Sequence, residues 1–150
     1  MSLTRPPKYL LDVNALIALV DQDHEQYLTM QTWFDSLRTA QWGICPLTEI
    51  GFVRITTNPA YLPASLNMGQ AIAALTGLQG LRGYTYWNMN HSWLELAAPF
   101  RSLLIGHRQI TDSYLLGLAV DANAVLVTLD RGIAYLAGSK YQDHLLVLGI

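Results

Sequence analysis

Residues 9–21, YLLDVNALIALVD, decide the fold. The run 8–12 (KYLLD) is short, apolar and closed by Asp12, which reads as a buried strand ending on an acid. From Asn14 to Val20 the same stretch reads as a first helix. A buried strand that passes at once into a helix is the start of an α/β layer.

The rest of the chain repeats that alternation. Tyr27, Met30, Phe34 and Leu37 recur at helical spacing in 25–38, a second helix. A short strand follows at 42–45 (WGIC), punctuated by Pro46. Thr48 is placed to cap a helix through Glu49, Phe52, Val53 and Ile55 that stops at Asn58–Pro59. The stretch 60–67 reads as a loop, and 68–79 as a helix with glycine interruptions. Residues 84–87 read as another short strand, and 91–104 as helical but broken at Pro99. The segment 111–122 (TDSYLLGLAVDA) is a helix with Thr111 as cap and Asp112 in the first turn, where the helix dipole favours a carboxylate. Residues 124–129 (AVLVTL) and 145–148 (LLVL) complete the strands. Short apolar strands separated by helices predict a three-layer α/β/α sandwich around a mostly parallel sheet of about five strands. With no repeat or linker, residues 1–150 read as one domain.

Composition narrows the class. The chain is 51% hydrophobic and 13% charged, which fits a packed globule and excludes a disordered chain. No apolar run reaches the ~20 residues that span a bilayer, and the first residues lack the apolar stretch of a signal peptide. The single Cys45 lies in apolar sequence and cannot form an internal disulfide, so a reducing, cytoplasmic setting is expected. Net charge is −2. Removing four of the 11 acids leaves seven against nine Lys and Arg, a balance of +2. If a cation neutralises four carboxylates, the remaining surface is mildly basic, which permits a phosphate-bearing ligand.

Four carboxylates stand out: Asp12, Glu49, Asp112 and Asp130. Asp12 and Asp130 follow strands, while Glu49 and Asp112 fall in the first turns of helices. In an open parallel sheet the carboxyl ends of the strands form the ligand-binding rim, so all four can share it. Carboxylates crowded beside apolar sequence ionise together only with a compensating cation. An all-oxygen set suits Mg²⁺ or Mn²⁺ better than zinc, since the four histidines show no ligand spacing and the cysteine is alone. Singly, each acid is as well explained as a helix-start charge or a turn former.

Four segments stand in order along the chain: LLDVNALIALVDQDHEQY from Leu10, TEIGFVRITTNP from Thr48, ITDSYLLGLA from Ile110 and LVTLDRG from Leu126. Together they resemble the PIN-domain family, and within it the VapC-like toxins of type II toxin–antitoxin systems. The resemblance implies an α/β/α fold and a Mg²⁺- or Mn²⁺-dependent endoribonuclease. Asp12 and Asp112 would be the central metal ligands, with Glu49 and Asp130 completing the catalytic pocket. Asn14 matches a polar residue that would orient Asp12, and Thr128 a hydroxyl position. An ordinary β-branched strand residue accounts for Thr128 equally well. The expected reaction is hydrolysis of an RNA phosphodiester by a metal-activated water, leaving 5′-phosphate and 3′-hydroxyl ends. The resemblance also implies a homodimer and a separate antitoxin protein, and no membrane.

Arg54, Arg108 and Arg131 lie near these segments and could meet substrate phosphates, though a solvated face explains each one. His24 reads as a surface histidine at a helix start that could also face the substrate groove, and Trp33, Phe34 and Trp42 are expected to pack the core or a dimer surface. Three other readings compete. A haloacid-dehalogenase-like phosphatase needs a second acid two residues after its aspartate, where this chain has Asn14. A response-regulator receiver needs an acidic pair at the first strand, which is missing. A catalytically silent PIN fold that binds RNA or a partner sits poorly with an intact acidic quartet.

Overall fold

The computed structural model describes residues 7–61 and 65–149. Strand β1 (Lys8–Leu11) leads into helix α1 (Val13–Val20), then α2 (Tyr27–Asp35), β2 (Gln41–Gly43), α3 (Pro46–Thr56) and α4 (Met68–Leu78). The second half runs α5 (Trp93–Leu96), α6 (Ile110–Asp121), β3 (Val125–Thr128), α7 (Ile133–Ala137) and β4 (Leu145–Val147). The sheet has four strands in the order β2-β1-β3-β4, all parallel. Leu10 pairs with both Gly43 and Leu126, which puts β1 at the centre.

Alternation along β1 builds the three layers. Leu10 faces a core made with Leu126, Phe100 and Leu115, beneath α5, α6 and α7. Leu11 faces the opposite core, with Val127, Leu16, Met30, Trp42 and Phe52, beneath α1 to α4. Successive strand side chains point to opposite faces, so one apolar strand feeds both cores. Trp33 and Trp42 are buried, and edge-to-face contacts of Tyr9 with Trp33 and of Phe34 with Trp42 fill the second core, as expected for these aromatics.

Three local expectations need correction. The sheet has four strands, not five: 84–87 runs beside β2, bridging Trp42 to Tyr84, with the Thr85 amide donating to the Trp42 carbonyl at 2.8 Å and the Trp87 amide to the Ile44 carbonyl at 3.2 Å, but it forms no regular strand. The Thr85 carbonyl oxygen sits where a Cβ on Gly43 would be (1.7 Å), out of the plane of a regular ladder. Thr48 does not cap α3: the helix starts at Pro46, and Thr48 is buried, donating to the Leu11 carbonyl at 3.0 Å. Pro favours the first helical turn because it has no N–H to satisfy there. Thr111 does not cap α6 either, since the helix begins at Ile110 and Gln109 holds the cap position. The region 91–104 divides as its proline predicts, into α5 and a 3₁₀ segment over Ala98–Leu103. Among the described residues, no helix is long and apolar enough to cross a membrane.

Candidate active site

Asp12 is the hinge of the site. Its amide donates to the Val127 carbonyl at 2.9 Å, extending the β1–β3 ladder by one residue. Its own carbonyl accepts from the Leu16 amide at 3.0 Å and opens α1. The side chain is 7% exposed, and both oxygens are held. Oδ1 accepts from the Val13 amide at 2.7 Å, and Oδ2 accepts from the Thr128 hydroxyl at 2.8 Å.

Thr128 and Asn14 tie the neighbouring strand end to Asp12. The Thr128 hydroxyl spends its proton on Asp12 and accepts from the Asp130 amide at 3.0 Å. Asn14 Oδ1 accepts from the Leu129 amide at 3.1 Å. Asp130 Oδ1 accepts from the Gly132 amide at 2.8 Å, a local turn that leaves its carboxylate exposed on the rim. Asp12, Asn14, Thr128 and Asp130 therefore form one connected network, although the sequence separates its halves by more than 100 residues.

Asp112 enters from α6. The start of that helix is braced by Trp93, whose Nε1 lies 3.0 Å from Ser113 Oγ and 3.2 Å from the Ile110 carbonyl oxygen. Ser113 in turn donates to Ile110 at 2.7 Å. This brace escapes sequence reading, because Trp93 is 20 residues from Ser113 and carries no motif. Burial pushes the Asp112 carboxyl up to about 7, helped by the charges of Asp12 and then Asp130. Asp12 is also pushed upward, chiefly by burial; its hydrogen bonds from Thr128 and Val13 pull the other way, and Asp130 adds repulsion. Burial leads both shifts, and the charges of Asp12, Asp112 and Asp130 that add to it bear on one another as one electrostatic cluster.

Glu49 is not among the charges that shift Asp12 or Asp112. It lies half-buried in the first turn of α3, one residue from the Thr48 anchor on β1. The charge it carries is felt by Tyr84, whose hydroxyl is raised by burial first and by Glu49 second. Arg54, Arg108 and Arg131 are all exposed. Arg131 and Asn14 both line a cleft beside the cluster, whereas Arg54 lines a separate groove at the end of α3.

Among the described residues, no three Asp, Glu, His or Cys side chains stand close enough together to hold a metal ion in this conformation. The donor chemistry nonetheless fits a hard cation: every candidate ligand is oxygen, and the repulsion on Asp112 is what a nearby positive charge would relieve.

No protein-family model matches the chain. It is similar to three curated proteins of Mycobacterium tuberculosis. Ribonuclease VapC38 of strain ATCC 25618 / H37Rv is 40% identical, over 94% of this chain and 98% of the relative. Ribonuclease VapC44 is 37% identical, over 93% and 98%. Ribonuclease VapC39 is 36% identical, over 83% and 90%. Among solved structures, the crystal structure of VapBC2 from Rickettsia felis bound to a DNA fragment from their promoter superposes with a TM-score of 0.60. That match covers 95% of this chain and 99% of the other at 14% identity, which speaks for the fold alone. Alignments this close over nearly the full length of both sequences establish that this chain belongs to the VapC family of PIN-domain proteins.

Proposed function

We propose that this protein is a Mg²⁺- or Mn²⁺-dependent endoribonuclease and the toxin of a type II toxin–antitoxin pair. The observation that carries the reading is the coupled carboxylate cluster, in which Asp112 is pushed up to about 7 by burial and by its two acidic neighbours. Such a cluster stores repulsion that a cation and a phosphodiester together would discharge. The ribonuclease names of the relatives support RNA as the substrate.

Asp12 and Asp112 would hold the ion, with Asp130 beside them and Glu49 completing the pocket from α3. The ion, when bound, supplies positive charge beside the scissile phosphate and makes water a stronger nucleophile. The chain's own part is positioning. Thr128 and the Val13 amide fix both oxygens of Asp12, so its remaining lone pairs keep one direction. Asn14 holds the Leu129 backbone and thereby the loop that carries Asp130. Burial and its acidic neighbours favour the protonated form of Asp112, which a bound cation would oppose. Exposed Arg54, Arg108 and Arg131 are candidates for substrate phosphates.

A separate antitoxin and a second copy of the chain are the expected partners. Ile50 and Ile55 on α3 and Ile72 on α4 are exposed at 56%, 43% and 54%, an apolar surface suited to a protein contact.

The test is cleavage of defined RNA by the purified chain with Mg²⁺, with EDTA, and with Asp12→Asn in place of the native chain. Metal-dependent cuts leaving 5′-phosphates, lost in the variant while its circular dichroism is unchanged, would support the reading. Undiminished cutting in EDTA would defeat the metal assignment.

A further inference from the structure

Next to the carboxylate network lies a cleft of about 380 Å³ whose His24, Glu25 and Gln26 the proposed chemistry leaves unused. It falls within the ~300–1,000 Å³ of ordinary small-ligand sites. Two aliphatic side chains, Leu129 and Leu148, line it. Asn14, His24 and Gln26 supply polar groups, and Arg131 and Glu25 supply one charge of each sign.

The polar groups are held in place. Asp21 closes α1 through its amide to the Ile17 carbonyl at 2.8 Å, and its carboxylate accepts from Tyr61 at 2.5 Å and from the Asp23 amide at 3.0 Å. His24 donates its amide to the Asp21 carbonyl at 3.0 Å. The turn that carries His24 is therefore fixed at both ends before any ligand arrives. The Gln26 amide donates to His24 Nδ1 at 3.0 Å. A ring nitrogen that accepts carries no proton, so neutral His24 bears its hydrogen on Nε2. Asn14 has its oxygen engaged by the Leu129 amide, which leaves its NH₂ to donate. Gly149 (φ 78°) packs against the Gln26 carboxamide, where any Cβ would lie 2.7 Å from Oε1. A side chain at 149 would push Gln26 out of its place on the cleft wall.

We propose that this cleft is a base-reading subsite: it takes the nucleobase next to the scissile phosphate and selects bases whose edge presents two neighbouring hydrogen-bond acceptors, as guanine O6/N7 and cytosine O2/N3 do. The inference rests on the ribonuclease reading and deepens it. Aliphatic walls suit the flat face of a base, while the His24 and Asn14 donors suit its edge. With Glu25 also in the lining, Arg131 does not make the cleft cationic, which favours a neutral base there and leaves Arg131 to an adjoining phosphate. Because Asn14 belongs both to the cleft and to the carboxylate network, a base held here adjoins the reacting phosphate.

The experiment maps cleavage of an RNA library randomised around one cut site, using the full chain with Mg²⁺. His24→Asn keeps an acceptor for the Gln26 amide but removes the Nε2 donor, whereas His24→Gln restores a donor at that reach. Expected is a roughly tenfold loss of discrimination at one nucleotide position in His24→Asn, the scale of one site-directed hydrogen bond, with partial recovery in His24→Gln. An unchanged preference, or an equal fall in rate on every sequence, would overturn the subsite while leaving the nuclease intact. A native chain that cuts no member of the library would remove the ribonuclease reading and the subsite with it.

Discussion

Thr128 Oγ1 lies 2.8 Å from Asp12 Oδ2, a buried hydrogen bond between the ends of adjacent strands β3 and β1. The same hydroxyl accepts from the Asp130 amide. One small side chain thus fixes the central carboxylate and the loop that carries the next one.

Thr128→Val preserves shape and removes both bonds. Asp12 loses a donor and the Asp130 amide loses its acceptor, so unfolding free energy should fall by about 1–3 kcal/mol. Under the proposed function, cleavage should drop by roughly 10–100-fold, as for other partners that orient metal ligands. Chemical denaturation and cleavage rates check the two effects separately. A valine variant as stable and active as the native chain would show that Thr128 is only a β-branched strand residue.

Asp112 sets a pH dependence of stability. Its carboxyl is raised from 3.8 to about 7 in the folded chain, and Asp12 is raised as well. Between those values the folded form keeps a proton that the unfolded form has released. Stability of the cation-free protein should therefore fall as pH rises from about 4 to about 7. A divalent cation favours the ionised carboxylates, so Mg²⁺ should raise the melting temperature more at about pH 8 than at about pH 5. Thermal melts at both values, with and without Mg²⁺, measure this. Equal cation effects at the two values would separate Asp112 from ion binding.

Glu49, on α3, is proposed to complete the pocket although its charge shifts neither Asp12 nor Asp112. Glu49→Gln should then lower cleavage by about 10–100-fold and leave the Mg²⁺-induced stabilisation near native, because the strongly coupled carboxylates remain. Native rates in the variant would confine the site to Asp12, Asp112 and Asp130.

Gly117 gives a prediction whose sign depends on packing. In an isolated helix, Gly→Ala gains about 0.5–1 kcal/mol. In this fold a Cβ on Gly117 would lie 2.2 Å from the Leu96 carbonyl oxygen, a backbone atom that cannot swing aside. Gly117→Ala should instead cost roughly 1–3 kcal/mol by forcing α6 away from α5. Denaturant midpoints decide between gain and loss.

Much of this was legible in the chain before any coordinates. The apolar run ending at Asp12, the strand 124–129 and the helix carrying Asp112 follow from local periodicity, which reports the immediate environment of each residue. Those elements also place three acids at strand and helix ends. The sequence over-read a fifth strand, because 84–87 has strand-like composition but its pairing depends on how the Thr85 carbonyl meets Gly43. Thr48 looked like a helix cap because its partner, the Leu11 carbonyl, is 37 residues away.

What the sequence determined by itself is the α/β alternation, the family motifs and the positions of four carboxylates along the chain. Only the tertiary structure decided which of them act together. Asp12, Asp112 and Asp130 share one electrostatic environment, Glu49 presents its charge to Tyr84, and His24 lines a cleft beside Asn14. The reason is physical: helical and strand preferences are short-range and written in neighbouring residues, whereas charge coupling and burial depend on distances in space that the chain sets only by folding.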